Sequence, residues 1–438
     1  MTLIEAVTCD SSETVRIAQD LIRVDTTNFG GGKAVGEQLA AEYIETYLQR
    51  LGLTPQLIES APLRTNLICR VPGRDMDLPP LVVHGHLDVV PALENDWSVD
   101  PFAGVIKSDF LWGRGAVDMK NMDAMILSSV SEMITSGNLP ARELILAFFA
   151  DEEAGGVLGS RYMVENHPEA FLGAETAISE VGGYSISLAG KRAYLIQSGE
   201  KAMMWLHARA HGGSAHGSLI VRDNALITLA KALVRLDQHE WRLRLTDTTS
   251  ELMRSIAEAV GEPFDPEHPD KLLVHTGVGA GFIESSLRTS ANVTMLDAGH
   301  KHNVVPNVAQ ASIDIRTLPG DEESVLADLQ AILGPEIRLE IVHQDIGLEV
   351  PFEGKLVEAM VSSLRRADPD ARILPYLMPG GTDNKSLARL GIAGFGFVPM
   401  QLPADFDFVS MFHGVDERIP ISALNFGHRV LTDLLQTY

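Results

Sequence analysis

Three short apolar runs constrain this chain more than anything else in it: LVVHGHLDVV at 81–90, ELILAFFA at 143–150 and ETAISE at 175–180. Each is continuous rather than alternating, and each is bounded by turn or polar residues. A strand that is apolar on both faces has to be covered on both, which is the pattern of parallel strands with helices above and below. Between the first two runs, the segment from Asp118 sets Met122, Met125, Ile126, Val130 and Met133 on one helical face and stops at Gly137, before Pro140. Strand, helix, strand predicts an α/β sheet, and in open sheets of that kind ligands gather beyond the carboxyl ends of the strands.

Those ends carry metal-type side chains. His86, Glu152, Glu153 and Glu180 lie at or just after them, Asp118 in GRGAVDMK sits where sheet hands over to helix, and His413 stands far downstream. The imidazoles of His86 and His413 with the carboxylates of Asp118, Glu153 and Glu180 suit a pair of zinc-like ions. Asp118 has two oxygens and suits a bridging place. Glu152 and Glu153 are neighbours whose side chains diverge, so one can bind metal while the other works as a base; residue type alone does not say which. Asp88 alternates with His86 along the strand and is expected to act from behind it, fixing the imidazole tautomer. A lone histidine at a strand end is ordinarily a core or surface residue, and paired glutamates are usually a solvated face. The conjunction of all of them at strand ends carries the reading.

At 438 residues and 45% hydrophobic content the chain exceeds one ordinary core, so two domains are expected. From about Lys201 the pattern changes: KAMMWLHARAHG reads as a strand, NALITLAKALVRL (224–236) as an amphipathic helix, SANVTMLD and AQASIDIR as strands, then a helix near 321–333 and a strand near 337–343. GEPFDPEHPDK (261–271) reads as an excursion on the surface of this second unit. Because His413 lies beyond it, the first domain has to resume with KLVEAMVSSLRRA as a helix, IAGFGFVP as a strand and ISALNFGHRVLTDLLQ as a closing helix. The expected division is 1–200 and 347–438 for one domain, with 201–346 inserted. An opening helix is expected within 12–24, capped by Ser12 or Thr14.

The formal net charge is -24, from 35 Lys plus Arg against 59 Asp plus Glu, which opposes binding to nucleic acid or anionic lipid. The start has no basic and apolar leader pattern, and no run approaches the roughly 18 apolar residues of a membrane span, so a soluble, cytoplasmic protein is expected. Cys9 and Cys69 form no CxxC, leaving nitrogen and oxygen to hold any metal. There is no HExxH or GxSxG, and GGGKA at 30–34 has Ala34 where a phosphate loop needs Ser or Thr. GxGxxD at 113–118 lacks the third glycine that a dinucleotide-dependent oxidoreductase would carry. A non-catalytic binding protein on the same fold is disfavoured by Glu152 beside a full ligand set.

HGHLDVVP (84–91), GRGAVDMK (113–120), ADEEAGG (150–156), ISEVGG (178–183), GGSAHGS (212–218), NVVPN (303–307), PGGTDN (379–384) and HGVDERI (413–419) together resemble the zinc-dependent amidohydrolases of peptidase family M20. That family includes aminoacylases, acetylornithine deacetylases, glutamate carboxypeptidases and succinyl-diaminopimelate desuccinylases. The resemblance implies a doubly wound mixed sheet of zinc-exopeptidase type with an inserted smaller α+β lid and dimerisation domain. It implies one ion on His86, Asp118 and Glu180, another on Asp118, Glu153 and His413, Glu152 as general base, Asp88 orienting His86, and a cis peptide after Asp118. Zinc is the expected metal, with cobalt or manganese as alternatives. It further implies that His216 reaches a substrate oxyanion, often across a homodimer formed through the lid. Asn303 and Arg316 would contact a substrate carboxylate, and Gly380, Gly381 and Thr382 would line the pocket. The expected substrate is a small molecule, an N-acyl amino acid or short peptide; a dipeptidase or C-terminal carboxypeptidase is the alternative. Glutamate-specific members carry a second arginine after the lid, and DIGLEVPFEG (345–354) has none. With QLPADFDFVSMF (401–412) expected at the mouth, an apolar or cationic acyl-amino acid is favoured.

Overall fold

The computed structural model describes residues 12–438, so Cys9 lies outside the described residues, while Cys69 is buried as a free thiol. Leu81–His86 is the centre of a 10-stranded mixed sheet. It runs parallel to Leu144–Phe149 on one side and to Thr176–Ser179 on the other. Antiparallel Arg64–Val71 and Gln56–Ala61 extend one flank. Ala393–Gly396, Lys191–Glu200, Tyr184–Leu188 and Arg372–Met378 build the other.

The continuous apolar runs are explained by their two burials. Leu81, Val83, Leu144, Leu146 and Phe148 join the main core, whereas Val82, Ile145, Ala147 and Phe149 pack into a second core on the opposite face. The period of two along each strand divides the side chains between these layers. Helix Lys120–Ser136 lies in the main core and ends at Gly137, whose φ of 72° is the left-handed cap that ends it. The opening helix Glu13–Ile22 has Ser12 as its cap, with Val15 N–H donating to Ser12 Oγ. Lys355–Ala367 and the closing helix Ile421–Thr437 complete this layer.

A second sheet of 4 antiparallel strands follows the order Ser290–Ala298, Val308–Thr317, Ala202–His211, Ile337–Gln344. Helices Ala225–Asp237 and Glu322–Leu333 cover one face and close a separate core with Leu206, Ile313 and Ile315.

One expectation fails. The stretch 261–271 is an exposed excursion, but it lies on the first unit and not on the second. Helix Asp247–Val260, which precedes it, and the turn Pro269–His275 bring Leu252, Met253, Ile256, Leu272 and Leu273 into the core of the large sheet. The proline-rich spelling hid the apolar pair Leu272 and Leu273 that anchors it. Among the described residues no helix is long and apolar enough to cross a membrane.

Candidate metal centre

Strand geometry brings His86 and Phe149 side by side at the carboxyl end of the sheet, so the turn after Phe149 sits next to the imidazole. Asp118 arrives from the loop before helix Lys120–Ser136, and the Asp118–Met119 peptide is cis. Glu180 follows strand Thr176–Ser179, and His413 enters from the segment before the closing helix with φ 57°. His86 Nε2 lies 3.0 Å from Asp118 Oδ1 and 3.5 Å from Glu180 Oε2. His413 Nε2 lies 3.3 Å from Asp118 Oδ2 and 3.1 Å from Glu153 Oε2. Asp118 thus turns one oxygen to each imidazole, and His86, Asp118, Glu180 and Asp118, Glu153, His413 form two adjoining groups of metal-ligand type.

Glu152 Oε2 lies 4.0 Å from His86 Nε2. Burial, reinforced by the Glu180 carboxylate, raises the proton affinity of Glu152 well above that of an ordinary glutamate. Burial likewise pushes Glu180 up to about 8. Asp118 moves the opposite way: burial works against it, but hydrogen bonds from His413 and His86 hold it well below the carboxylate range. Glu153 Oε1 is buried with no hydrogen-bond partner. Crowded carboxylates, two imidazoles and an orphaned carboxylate oxygen are what divalent cations with nitrogen and oxygen ligands would satisfy. The donor set fits a metal.

Asp88 differs from its expected place. His86 Nδ1 lies 3.0 Å from the main-chain carbonyl of Asp88 and 3.7 Å from its carboxylate, so the backbone fixes the imidazole. The carboxylate instead accepts the main-chain N–H groups of Glu152 (3.1 Å) and Glu153 (3.2 Å) and the amide of Asn28 (2.9 Å). Strand pairing ends at His86, which frees Asp88 from the alternation that predicted its direction.

A cavity of about 420 Å³ opens on this cluster and is lined by both sheets. Arg316, Gly380, Gly381 and Thr382 line it; His216 and Asn303 do not. Those two lie together on the second unit, where Gly217 N–H donates to the Asn303 carbonyl and His216 pairs in a short ladder with Val304. A Cβ on Gly381 would fall 2.4 Å from Lys385 Nζ, so a side chain there would have to push that ammonium aside. Thr382 is held by Glu200, which accepts its N–H at 2.8 Å and its hydroxyl at 2.6 Å.

Sequence reasoning missed Glu417. This fully buried residue pairs with Arg114 at 2.7 Å and accepts the N–H groups of Gly115, Val117 and Asp118, holding the loop that presents Asp118. It lies within HGVDERI, four positions after His413, but a glutamate in a charged string gives no sign that it is buried. His343 and Trp205, a tilted ring pair 5.1 Å apart on the second sheet, were also missed as pocket walls.

A mixed α/β sheet whose strand ends gather these two ligand groups, under a cavity shared with a second sheet, defines a metal-dependent amide hydrolase. Residues 82–437 match the model of peptidase family M20/M25/M40, and the chain belongs to that family. It is 27% identical over 413 residues to aminoacylase-1 of Sus scrofa, covering 90% of this chain and 89% of that protein. It is 28% identical over 386 residues to a probable carboxypeptidase S-like 2 of Dictyostelium discoideum, covering 81% and 71%. In fold it is similar to the M20 family metallo-carboxypeptidase Sso-CP2 from Sulfolobus solfataricus, with a TM-score of 0.76 at 18% identity over 97% of this chain and 99% of that one.

Proposed function

We propose that this enzyme removes the acyl group from an N-acyl amino acid, using two divalent ions, one on His86, Asp118 and Glu180 and the other on Asp118, Glu153 and His413. The observation that carries the reading is Asp118, with one carboxylate oxygen facing each imidazole. Zinc bound there, or cobalt or manganese, would lower the pKa of water and polarise the scissile carbonyl. Glu152 faces the same space, and its raised proton affinity suits it to take a proton from water and pass it to the leaving nitrogen.

The cavity supports an apolar group on the substrate. Its wall includes Met203, Trp205, Phe282, Ile346, Met378 and Phe412. Its cations are already paired within the protein: Arg316 with Asp314 at 2.8 Å, Lys385 with Asp345 at 3.1 Å, and Arg161 and Arg389 with Glu165 at 3.1 and 3.8 Å. An acidic side chain would compete with those partners and with the substrate's own carboxylate for the same donors, whereas an apolar one gains burial at once. Arg316 uses Nε and one terminal nitrogen on Asp314, which leaves donors for the single carboxylate common to N-acyl amino acids. Within residues 201–346, the second sheet with helices Ala225–Asp237 and Glu322–Leu333 would serve as a lid. His216 and Asn303, outside the cavity of one chain, would reach the substrate from a second copy in a lid-mediated homodimer.

Cleavage of a peptide from its carboxyl end is the second reading, favoured by the resemblance to the Dictyostelium carboxypeptidase. A panel of N-acetyl and N-hexanoyl amino acids against dipeptides, on metal-reconstituted protein, separates the two. Turnover of the acyl compounds with apolar side chains is expected. Hydrolysis of dipeptides alone would replace the first reading by the second, and no hydrolysis of either would overturn both.

A further inference from the structure

Behind the Glu152–Glu153 turn runs a buried chain of polar side chains that does not line the cavity and meets the ligand positions only at its last member, Asp88. Glu37 accepts two hydrogen bonds from Arg64, at 2.8 and 2.7 Å. Arg64 also donates to Asp151 Oδ1 at 2.9 Å. Asn28 Nδ2 donates to the same Asp151 oxygen at 3.1 Å and to Asp88 Oδ2 at 2.9 Å. Asp88 then accepts the main-chain N–H groups of Glu152 and Glu153. The amide of Asn28 cannot turn over, because its Oδ1 accepts Gly30 N–H at 3.0 Å and only the amino group can face the two carboxylates. Glu37, Arg64, Asp151, Asn28 and Asp88 are each no more than 5% exposed.

The turn they support is not an inherently favourable one. Asp151, which opens it, has φ 67°, a left-handed conformation uncommon for a non-glycine residue, though aspartate adopts it more readily than most. Asp151 Oδ2 accepts Leu158 N–H at 2.9 Å, so its carboxylate ties both ends of the loop while Asn28 links it to Asp88. The carboxylates of Asp151 and Asp88 would repel each other without the amide donor between them, and Asp88 is the group that fixes the backbone of Glu152 and Glu153.

We propose that Asn28, backed by Arg64 and Glu37, is a positioning residue that sets the main chain of the Glu152–Glu153 turn through Asp88. It touches no substrate; it acts by keeping Asp88 where it holds the two glutamates at their working separation. The inference rests on the reading of Glu152 as base. Supporting partners of this kind are worth about 10- to 100-fold in activity or metal affinity.

The test compares Asn28→Ala, Asn28→Asp and Glu152→Ala in the full, metal-reconstituted chain, on whichever panel compound the parent hydrolyses best. Asn28→Ala is expected to lower kcat at saturating metal by about ten-fold or more with KM within about two-fold of the parent. Asn28→Asp keeps the shape but replaces the donor by another carboxyl, so kcat should fall again; a role in packing alone predicts parental kcat for it. If Glu152→Ala is inactive while both Asn28 variants turn over within two-fold of the parent, the positioning role is wrong and the base assignment stands. If Glu152→Ala keeps parental turnover, the base assignment falls and this inference with it.

Discussion

Asp118 can face both imidazoles only because something else fixes its backbone, and Glu417 does so with a side chain 299 positions away. The ligand types were readable in the sequence because metal chemistry accepts few of them: imidazole and carboxylate at strand ends leave little choice. Their supports were not readable. Asn28, Arg64 and Glu417 are ordinary polar letters whose partners lie far along the chain, and nothing local marks them as buried. Asp88 is instructive in between. Its importance was legible, yet its carboxylate holds the backbone of its neighbours and leaves the imidazole to a main-chain carbonyl. At this scale Glu152 and Glu153 should separate cleanly. Glu152→Gln is expected to retain both metals by elemental analysis and lose about 10²- to 10⁴-fold in kcat, the range of a proton-transfer group. Glu153→Gln should lose one metal per chain, and the opposite pattern would exchange their roles.

Strands and helices with strong patterns followed the sequence closely. The run at 143–150 became Leu144–Phe149, and the amphipathic stretch at 224–236 became Ala225–Asp237. Helix Asp247–Val260 was overlooked although Leu252, Met253 and Ile256 lie on one face, because the change of pattern at Lys201 drew attention to a second core while this helix returns to the first. Lys201 itself stands at the junction, buried, its ammonium donating to the carbonyl of Arg288. Burial, with Arg316 and Arg288 nearby, lowers its pKa to about 7. The unfolded chain therefore binds the extra proton between about 7 and 10.5, and the native state gains stability as pH rises through that window. Lys201→Met has no such titration. Urea unfolding of both proteins should show the parent improving relative to the variant from pH 7 to about 10, with the full penalty present below 7. A constant difference across that range would contradict the assignment.

Taken whole, the molecule gathers four carboxylates, Asp118, Glu152, Glu153 and Glu180, around two imidazoles. An α/β class and a second unit could be foreseen from pattern alone, but not the sharing of one cavity by both sheets, since that depends on packing between residues as distant as Trp205 and Met378. Without cations, Glu152 and Glu180 are held close together, and burial makes each reluctant to ionise. Metal that binds only the folded arrangement would stabilise the whole fold by mass action, about 4 kcal/mol at a thousand times Kd. Treatment with a chelator is expected to lower Tm measurably, and added zinc or manganese should restore it. An unchanged Tm on removal and return of metal would argue against a metal-linked fold.

The dependence of Asp118 on His413 and Glu417 also has a meaning in time. A nascent polypeptide halted between Gly396 and His413 has its whole large sheet but neither the second imidazole nor the clamp on the first loop. Such an unfinished product would be inert, and competence would come only once residues 413–417 had left the ribosome.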